Sequence, residues 1–231
     1  MTARTRLTVD DRTAWITIDD GKVNVMSLDM LGEIAARLDE THEHAVTVLA
    51  GRPGILSAGF DLQTFQRGAD DSWRMVDAGV RLIKKMLAHP KPIITACTGH
   101  AYPMGAFLML SADIRYGAAG TWKIGLNEVA IGLTLALFAI ELARHRLTAP
   151  GFARVTTGAL FEPDEARSAG YFDYVVDPAH LSDSVSDAAR RLYALDASSY
   201  AATKARVNGP LIRAIQEAWA NEGSRTWGRA A

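Results

Sequence analysis

The sequence contains one cysteine, Cys97, in 231 residues. A single cysteine excludes an intrachain disulfide and favours a reducing compartment. Cys97 falls within an apolar stretch, so we interpret it as an inert thiol of the core. Stability must come from packing, and the 48% hydrophobic and 22% charged residues are typical of a globular protein with a sizeable core.

The sequence also has no large excess of positive or negative charge and no long apolar run. The formal net charge is −1, so nothing favours nucleic acid or an anionic membrane surface as a partner. The longest apolar run, from Val129 to Ile140, contains Thr134 and is shorter than the ~20 residues that span a bilayer. The segment from Met1 to Arg6 lacks an apolar signal core. We therefore expect a cytoplasmic protein with no membrane partner.

No cluster of residues has the spacing of a metal site. His42 and His44 are close in sequence, but no carboxylate or cysteine pattern accompanies them. We interpret them as lying at a solvated helix end. The sequence also lacks a nucleotide-redox motif, so we predict no metal and no cofactor.

Apolar periodicity predicts a mixed α/β chain in two parts. The predicted strands include 7–9, 14–18, 45–50, 92–97, 114–117 and 170–176, and the predicted helices include 73–87, 133–147, 181–195, 198–207 and 211–221. Ser27 is a predicted N-cap, and the triplet 208–210, which contains proline, is a predicted helix break. A shift to almost wholly helical sequence divides a core, residues 1–177, from a helical region, residues 178–231.

Two strand–turn segments have the features of an anion-binding site. Residues 99–113 follow a buried strand, and Pro103 suits the first turn of a helix, whose free amides at 104–106 would stabilise a negative oxygen. On its own, this segment also fits a core helix that follows a core strand. Residues 57–62, about forty residues upstream, form a second small-residue turn after another strand. Two such turns can aim two N–H groups at one point, as an oxyanion hole requires.

These segments resemble motifs of the crotonase superfamily, the enoyl-CoA hydratases and isomerases. Ser-Ala-Gly-Phe-Asp-Leu at 57–62 is similar to its first oxyanion motif, residues 99–113 to its second and residues 123–132 to its third. Lys-Val-Asn-Val-Met at 22–26 matches the segment that begins its first helix. The resemblance covers most of residues 5–215. It implies an α/β fold with a crotonase-like ββα spiral core and a C-terminal helical extension, which in that family takes part in trimer contacts and covers the acyl-CoA site.

The resemblance implies a coenzyme A thioester as substrate and assigns roles residue by residue. The backbone amides of Phe60 and Met104 hold the thioester oxygen, and Glu128, among apolar neighbours, carries the proton. The residues assigned to substrate binding are Lys22, Asn24, Ala58, Gly59, Asp61, Leu62, Gly105, Phe107 and Gly132. Asp61 is also placed to cap the helix that follows it.

Several positions depart from the hydratase pattern. Phe107 stands where hydratases carry a second glutamate, and phenylalanine can neither accept a proton nor hold a water molecule. The third motif reads Leu-Asn-Glu at 126–128, as in the isomerases, where hydratases usually have Gln-Pro-Glu. Pro103 and Met104 replace glycines of the usual Gly-Gly-Gly run, and Phe60, whose ring is expected to narrow the site or shape the acyl tunnel, replaces a frequent alanine.

We therefore predict an isomerase that converts 3-enoyl-CoA to 2-enoyl-CoA. The alternatives are an enoyl-CoA hydratase and a non-catalytic acyl-CoA binding protein. We also predict a homotrimer or a dimer of trimers, because the C-terminal helices have more apolar residues than one core requires. These residues are Leu192, Leu195, Tyr200, Val207, Leu211, Ile212, Ile215 and Trp219.

Overall fold

The computed structural model describes residues 3–222. The strands are β1 (Thr5–Asp10), β2 (Thr13–Ile18), β3 (Val46–Ala50), β4 (Gly54–Ser57), β5 (Ile93–Cys97), β6 (Gly99–Ala101), β7 (Ile114–Ala118), β8 (Ile124–Gly125), β9 (Leu160–Phe161) and β10 (Tyr174–Val176). The helices are α1 (Leu28–Glu40), α2 (Leu62–Arg67), α3 (Ala69–Ala88), α4 (Pro103–Leu110), α5 (Leu137–Arg146), α6 (Ala149–Ala153), α7 (Pro163–Ala169), α8 (Leu181–Leu192) and α9 (Ala197–Glu222).

The strands form two sheets between which the chain alternates. The larger sheet has the order β1-β2-β3-β5-β7-β10, antiparallel between β1 and β2 and parallel elsewhere. The smaller sheet has the order β4-β6-β8-β9, antiparallel only between β8 and β9. A strand of the large sheet is followed by one of the small sheet and then by a helix, as in β3-β4-α2 and β5-β6-α4. This ββα repetition confirms the predicted fold class.

The centre of the large sheet is covered on both faces. Every residue of β3 and β5 is buried, which explains why these strands have continuous apolar sequences. Leu49 and Ile93 join the main core beneath α1 and α3, whereas Val48 and Ile94 pack on the α8 side. Cys97 is also buried, and burial raises the pKa of its thiol to about 12. The placement of Cys97 in the core is confirmed.

The helix predicted over 133–147 is wrong in its first turn. It begins four residues later, at Leu137, because Gly132 ends a preceding 3₁₀ turn, Val129–Ile131, in a left-handed conformation with φ +78°. Residues 133–136 then have no regular secondary structure, and Ala136 is extended. This irregular segment follows immediately after Glu128 and therefore belongs to the surroundings of the predicted site.

The predicted break at 208–210 is also wrong, because α9 continues through the proline. Contacts with the rest of the fold hold the helix on the N-terminal side of that residue. Lys204 Nζ lies 2.6 Å from Asp113 Oδ2, and Asn208 Nδ2 donates to the Leu87 carbonyl oxygen at 2.9 Å. Both anchoring residues are buried, so tertiary structure overrides the cost of the missing backbone donor.

Some of the apolar residues that suggested assembly are used within the chain itself. Leu211, Ile215 and Trp219 on α9 are buried in the main core. Leu195 and Val207 remain exposed, at 46% and 58% of their surface. The helical region therefore packs against the main core of the same chain and still leaves apolar side chains exposed to solvent. Residues 223–231 of the predicted helical region lie outside the described residues.

Candidate active site

Three parallel strands of the small sheet end at one edge, and each is followed by a predicted catalytic residue. Phe60 comes three residues after the end of β4, Met104 three residues after β6, and Glu128 three residues after β8. Because β4, β6 and β8 are adjacent and parallel, these segments leave the sheet on the same side. The carboxyl ends of parallel strands are where α/β proteins bind ligands.

Hydrogen bonds fix the first loop. Asn24 is fully buried with φ +52°, and its Nδ2 donates to the carbonyl oxygens of Ile18 and Leu56 at 3.0 and 3.2 Å. Ser57 Oγ donates to the Asn24 carbonyl oxygen at 2.7 Å and accepts from the Gly59 amide at 3.0 Å. The Asn24 amide group is thus committed to holding the loop, and the assignment of this residue to substrate binding stays a prediction.

The second loop lies directly against the first. The Tyr102 amide donates to the Ser57 carbonyl oxygen at 3.0 Å. A Cβ atom on Gly105 would lie only 3.0 Å from Ser57 Cβ, and one on Gly59 would lie 3.2 Å from Pro103 Cδ. Glycine is therefore needed on both sides of this contact, and the assigned residue Gly105 acts as a close-packing position.

The amides of Phe60 and Met104 are not used by the fold. Met104 is the second residue of α4, where an amide has no carbonyl partner within the helix. Among the described residues, neither amide has a hydrogen-bond acceptor. The side chains pack elsewhere: a Cβ on Gly79 of α3 would lie 2.8 Å from Phe60 Cζ and 3.3 Å from Met104 Sδ. The Phe60 ring thus packs against α3 and, edge to face, against Phe65.

Glu128 has the environment that a proton carrier needs. It precedes the 3₁₀ turn, and its side chain makes no capping hydrogen bond there. The residue is half-buried as a whole, but its Oε2 atom is buried without a hydrogen-bond partner among the described residues. Burial raises the pKa of this carboxyl to about 7, because desolvation penalises the charged form. An ordinary structural carboxylate would have a partner or face water.

Phe107 occupies the next turn of α4 after Met104 and is buried, with 1% of its surface exposed. Its ring centroid lies 5.6 Å from that of Phe138 in an edge-to-face arrangement. Phe138 packs in the same way against Trp219 of α9. Phe107 therefore belongs to an aromatic cluster, at the position where the resemblance implied a second glutamate in hydratases.

The remaining assigned residues have different surroundings. Asp61 caps α2, since its carboxylate accepts from the Gln63 amide at 3.1 Å and the Thr64 hydroxyl at 2.8 Å. The capping interpretation is confirmed, and the carboxylate is occupied by it. Of the other assigned residues, Lys22 and Leu62 are exposed. The Ala58 amide donates a hydrogen bond to the Val23 carbonyl oxygen, and Gly132 has the left-handed conformation described above.

Sequence reasoning missed two residues of this region. Gly79 lies against both the Phe60 ring and the Met104 sulphur. Because it is a glycine within a regular helical pattern, the sequence did not indicate this contact. Tyr171 fell within the predicted strand 170–176, which begins only at Tyr174. Instead, Tyr171 follows the end of α7, and its amide donates to the Ala166 carbonyl oxygen at 2.8 Å.

Residues 3–222 contain neither a cluster of metal-ligating side chains nor a helix suited to cross a membrane. No group of three or more histidine, cysteine, aspartate or glutamate side chains in this range could hold a metal ion. No helix in the same range is long and apolar enough to cross a membrane. His42 follows the end of α1 and is exposed, as expected for a solvated helix end.

One cleft of the molecule lies away from this site. It has a volume of about 390 Å³ and lies beside α6 and α7, lined by residues that include Arg154, Phe161 and Asp164. None of the assigned site residues lines it. The loops after β4, β6 and β8 remain the better candidate, because they combine unused donors with a buried carboxyl group.

Comparisons with known proteins agree with this fold. The profile of the family described as enoyl-CoA hydratase/isomerase matches residues 9–224. The chain is 38% identical to an enoyl-CoA hydratase/isomerase family protein from Pseudomonas syringae, with a TM-score of 0.94 over 96% of this chain and 98% of that one. It is 32% identical to a Mycobacterium tuberculosis protein, with a TM-score of 0.91 over 97% and 100% of the two chains, and that protein is named both an enoyl-CoA isomerase and a probable enoyl-CoA hydratase.

A relative named for the other reaction is similarly close. A probable enoyl-CoA hydratase of Mycobacterium avium is 30% identical over 207 residues, which cover 86% of this chain and 79% of the relative. Isomerase and hydratase names thus both occur among proteins of comparable similarity. The choice between the two reactions has to come from the site.

Proposed function

The chain belongs to the enoyl-CoA hydratase/isomerase family, and from this premise we propose that it isomerises 3-enoyl-CoA to 2-enoyl-CoA thioesters with Glu128 as its proton carrier. The observation that carries the proposal is a buried carboxyl group at Glu128 combined with a phenyl ring at Phe107. Asp61, the other carboxylate among the assigned residues, is occupied as a helix cap.

The reaction begins with proton removal. Ionised Glu128 takes a proton from C2 of the 3-enoyl thioester, and the electron pair of the broken C–H bond delocalises through the C3–C4 double bond and onto the thioester oxygen. The amides of Phe60 and Met104 donate to that oxygen in the resulting dienolate. Loss of one such donor typically costs about 2.7–4 kcal/mol of transition-state stabilisation.

The second step returns the same proton. Glu128, now a carboxylic acid, protonates C4, the negative charge leaves the oxygen, and the double bond lies between C2 and C3. No water is consumed and the proton count is unchanged. A carboxyl group with a pKa of about 7 suits both steps near neutral pH, because its two protonation states are similarly accessible.

Hydration is the competing assignment, supported by the name of the M. avium relative. It requires a group that holds and activates water beside C3. Phe107 packs against Phe138 at the position of that group and has no polar atom in its side chain. A binding protein without activity would have no need of a buried carboxyl with a raised pKa, since such a group lowers stability when it ionises.

The direct test is Glu128→Gln, assayed with a 3-enoyl-CoA and titrated calorimetrically with the same ligand. We expect at least about a hundredfold loss of turnover, as is typical of a missing general base, with binding retained because the amide is nearly isosteric. Glu162→Gln, an exposed glutamate paired with Lys123, is the matched control and should stay at the wild-type rate. Turnover by Glu128→Gln within a few-fold of wild type would show that Glu128 is not the base.

The protein is further proposed to act in the cytoplasm as a trimer or a dimer of trimers. The single buried thiol of Cys97 is compatible with a reducing compartment. Exposed Leu195 and Val207 in the C-terminal region are available for contacts between copies of the chain.

A further inference from the structure

Tyr171 is a fully buried residue that the reaction above does not use. Its ring packs on that of Phe161, with the ring centroids 5.7 Å apart, and no part of the side chain reaches solvent. Its hydroxyl group has no hydrogen-bond partner among the described residues. A buried hydroxyl without a partner is uncommon because it has lost its bonds to water without replacing them. Such a group needs a physical explanation.

The hydroxyl lies beside the segment that carries Glu128. Phe161 pairs with Ile124 across the β8–β9 ladder, so a ring packed on Phe161 lies close to the end of β8. The Leu126 amide, two residues before Glu128, is near enough to lower the pKa of the Tyr171 hydroxyl, although the geometry of a full hydrogen bond is not reached. Glu128 Oε2 is also buried and has no hydrogen-bond partner within the part of the chain that the structure describes. A donor and an acceptor are therefore left over in one buried region.

The charged side chains nearby interact with other residues and not with Tyr171 or Glu128. Arg154 lies over the Phe161 ring, and Lys123 pairs with Glu162, but none of these ions shifts the pKa of Tyr171 or of Glu128. Burial is the main cause that raises the pKa of Tyr171, and the Glu128 charge adds to it. The phenol therefore stays protonated, and toward a carboxylate it acts as a hydrogen-bond donor.

We propose that Tyr171 is a positioning residue for Glu128, whose ionised carboxylate receives a hydrogen bond from the Tyr171 hydroxyl directly or through one bound water molecule. This role rests on the proposed function, which makes Glu128 the base. The bond stabilises the carboxylate form that takes the C2 proton and holds Oε2 in place. This hydrogen bond weakens once Glu128 is protonated. Tyr171 therefore favours the proton-removal step without itself transferring a proton.

The test is a titration of the Glu128 carboxyl by carbon NMR in protein labelled at glutamate side-chain carboxyls, with Glu128→Gln identifying the signal. Tyr171→Phe retains the ring and removes the donor, so the midpoint should rise by about one pH unit. Tyr200→Phe is the matched control, because its hydroxyl is also buried without a well-formed hydrogen bond within residues 3–222 but lies near Asp113 instead of Glu128. That variant should titrate as wild type, and an unchanged midpoint in Tyr171→Phe would overturn the proposal.

A second variant covers the case in which Tyr171→Phe does not fold. With 3-fluorotyrosine at position 171 the side chain keeps its shape and becomes a stronger donor, so the Glu128 midpoint should fall. An unchanged or raised midpoint would contradict the proposal. Both titrations use the free protein, so they do not depend on which reaction it catalyses. If the wild-type protein had no isomerase activity, the proposed function would be wrong, but the measured effect of Tyr171 on the titration of Glu128 would still hold.

Discussion

Gly59 and Pro103 touch so closely that a Cβ atom on Gly59 would lie 3.2 Å from Pro103 Cδ. Each residue directly precedes one of the two amides assigned to the thioester oxygen, those of Phe60 and Met104. The contact therefore helps to set the separation of the two amides. Gly59 also has φ +93°, a conformation that other residues rarely adopt.

We expect Gly59→Ala to lower kcat more than tenfold, because the displaced loop misaligns one oxyanion donor, whose full loss typically costs about 10²–10³ in rate. Strain should also lower the free energy of unfolding by roughly 1–3 kcal/mol. Gly21→Ala is the control, since Gly21 has φ +75° but open space around its Cα. It should lose stability and keep kcat. Equal kcat values in steady-state assays of Gly59→Ala and wild type would show that the contact does not set the site.

The raised pKa of Glu128 predicts how stability depends on pH. Between its ordinary value of 4.5 and about 7, the unfolded chain releases this proton while the folded chain keeps it. The contribution of the protonated carboxyl is therefore complete below pH 4.5 and is lost as pH rises to about 7. The unfolding free energy of wild type, relative to Glu128→Gln, should fall by up to about 3 kcal/mol across this range.

Urea unfolding of both proteins at a series of pH values measures this difference. Above pH 7 the difference should be constant. A difference that stays constant across the whole range would mean that Glu128 titrates normally in the folded protein.

Phe107→Glu should introduce hydration of 2-enoyl-CoA. The new carboxylate would lie one turn beyond Met104 and could hold water beside C3, at a folding cost of several kcal/mol for its burial. Phe107→Leu keeps the position apolar, so it should retain isomerisation without any gain in hydration. If a folded Phe107→Glu protein hydrates no faster than Phe107→Leu, the residue at this position does not decide between the two reactions.

The predicted assembly can be tested by sedimentation at micromolar concentration. We expect a mass of three or six chains, because Val207 on α9 and Leu195 in the turn before it leave apolar surface exposed in the C-terminal region. Val207→Glu places a charge on that surface while removing little from the core, so it should shift the mass toward smaller species. A monomeric wild-type protein would contradict the assembly, and an unchanged mass for the variant would exclude Val207 from the contact.

Local sequence predicted the parts of the site that depend on local chemistry. Pro103 at a helix start and Asp61 as a cap are each recognisable within a few residues, whereas the role predicted for Glu128 depended on the family resemblance. Contacts between distant segments were not predictable in this way. Gly79 meets Phe60 and Met104, and Tyr171 lies beside the β8 end, only because the two sheets fold together.

The wrong helix boundaries have the same physical origin. Proline argues against a helix through 208–210, but Lys204 and Asn208 are held by contacts with residues more than ninety positions away in sequence. Apolar spacing favours a helix from residue 133, but the left-handed Gly132 and the turn before it keep that segment irregular. Intrinsic helix propensity is overridden where long-range hydrogen bonds or a left-handed backbone conformation determine the local structure.

The most direct measurement gives one preparation of wild-type protein a 3-enoyl-CoA and a 2-enoyl-CoA of equal chain length and compares the two rates. With one proton carrier at Glu128 and a phenyl ring at Phe107, we predict isomerisation with hydration at least about a hundredfold slower, because a missing catalytic base typically costs about 10²–10⁴ in rate. Rapid hydration of 2-enoyl-CoA without isomerisation of 3-enoyl-CoA would contradict the account and assign the protein to the hydratases.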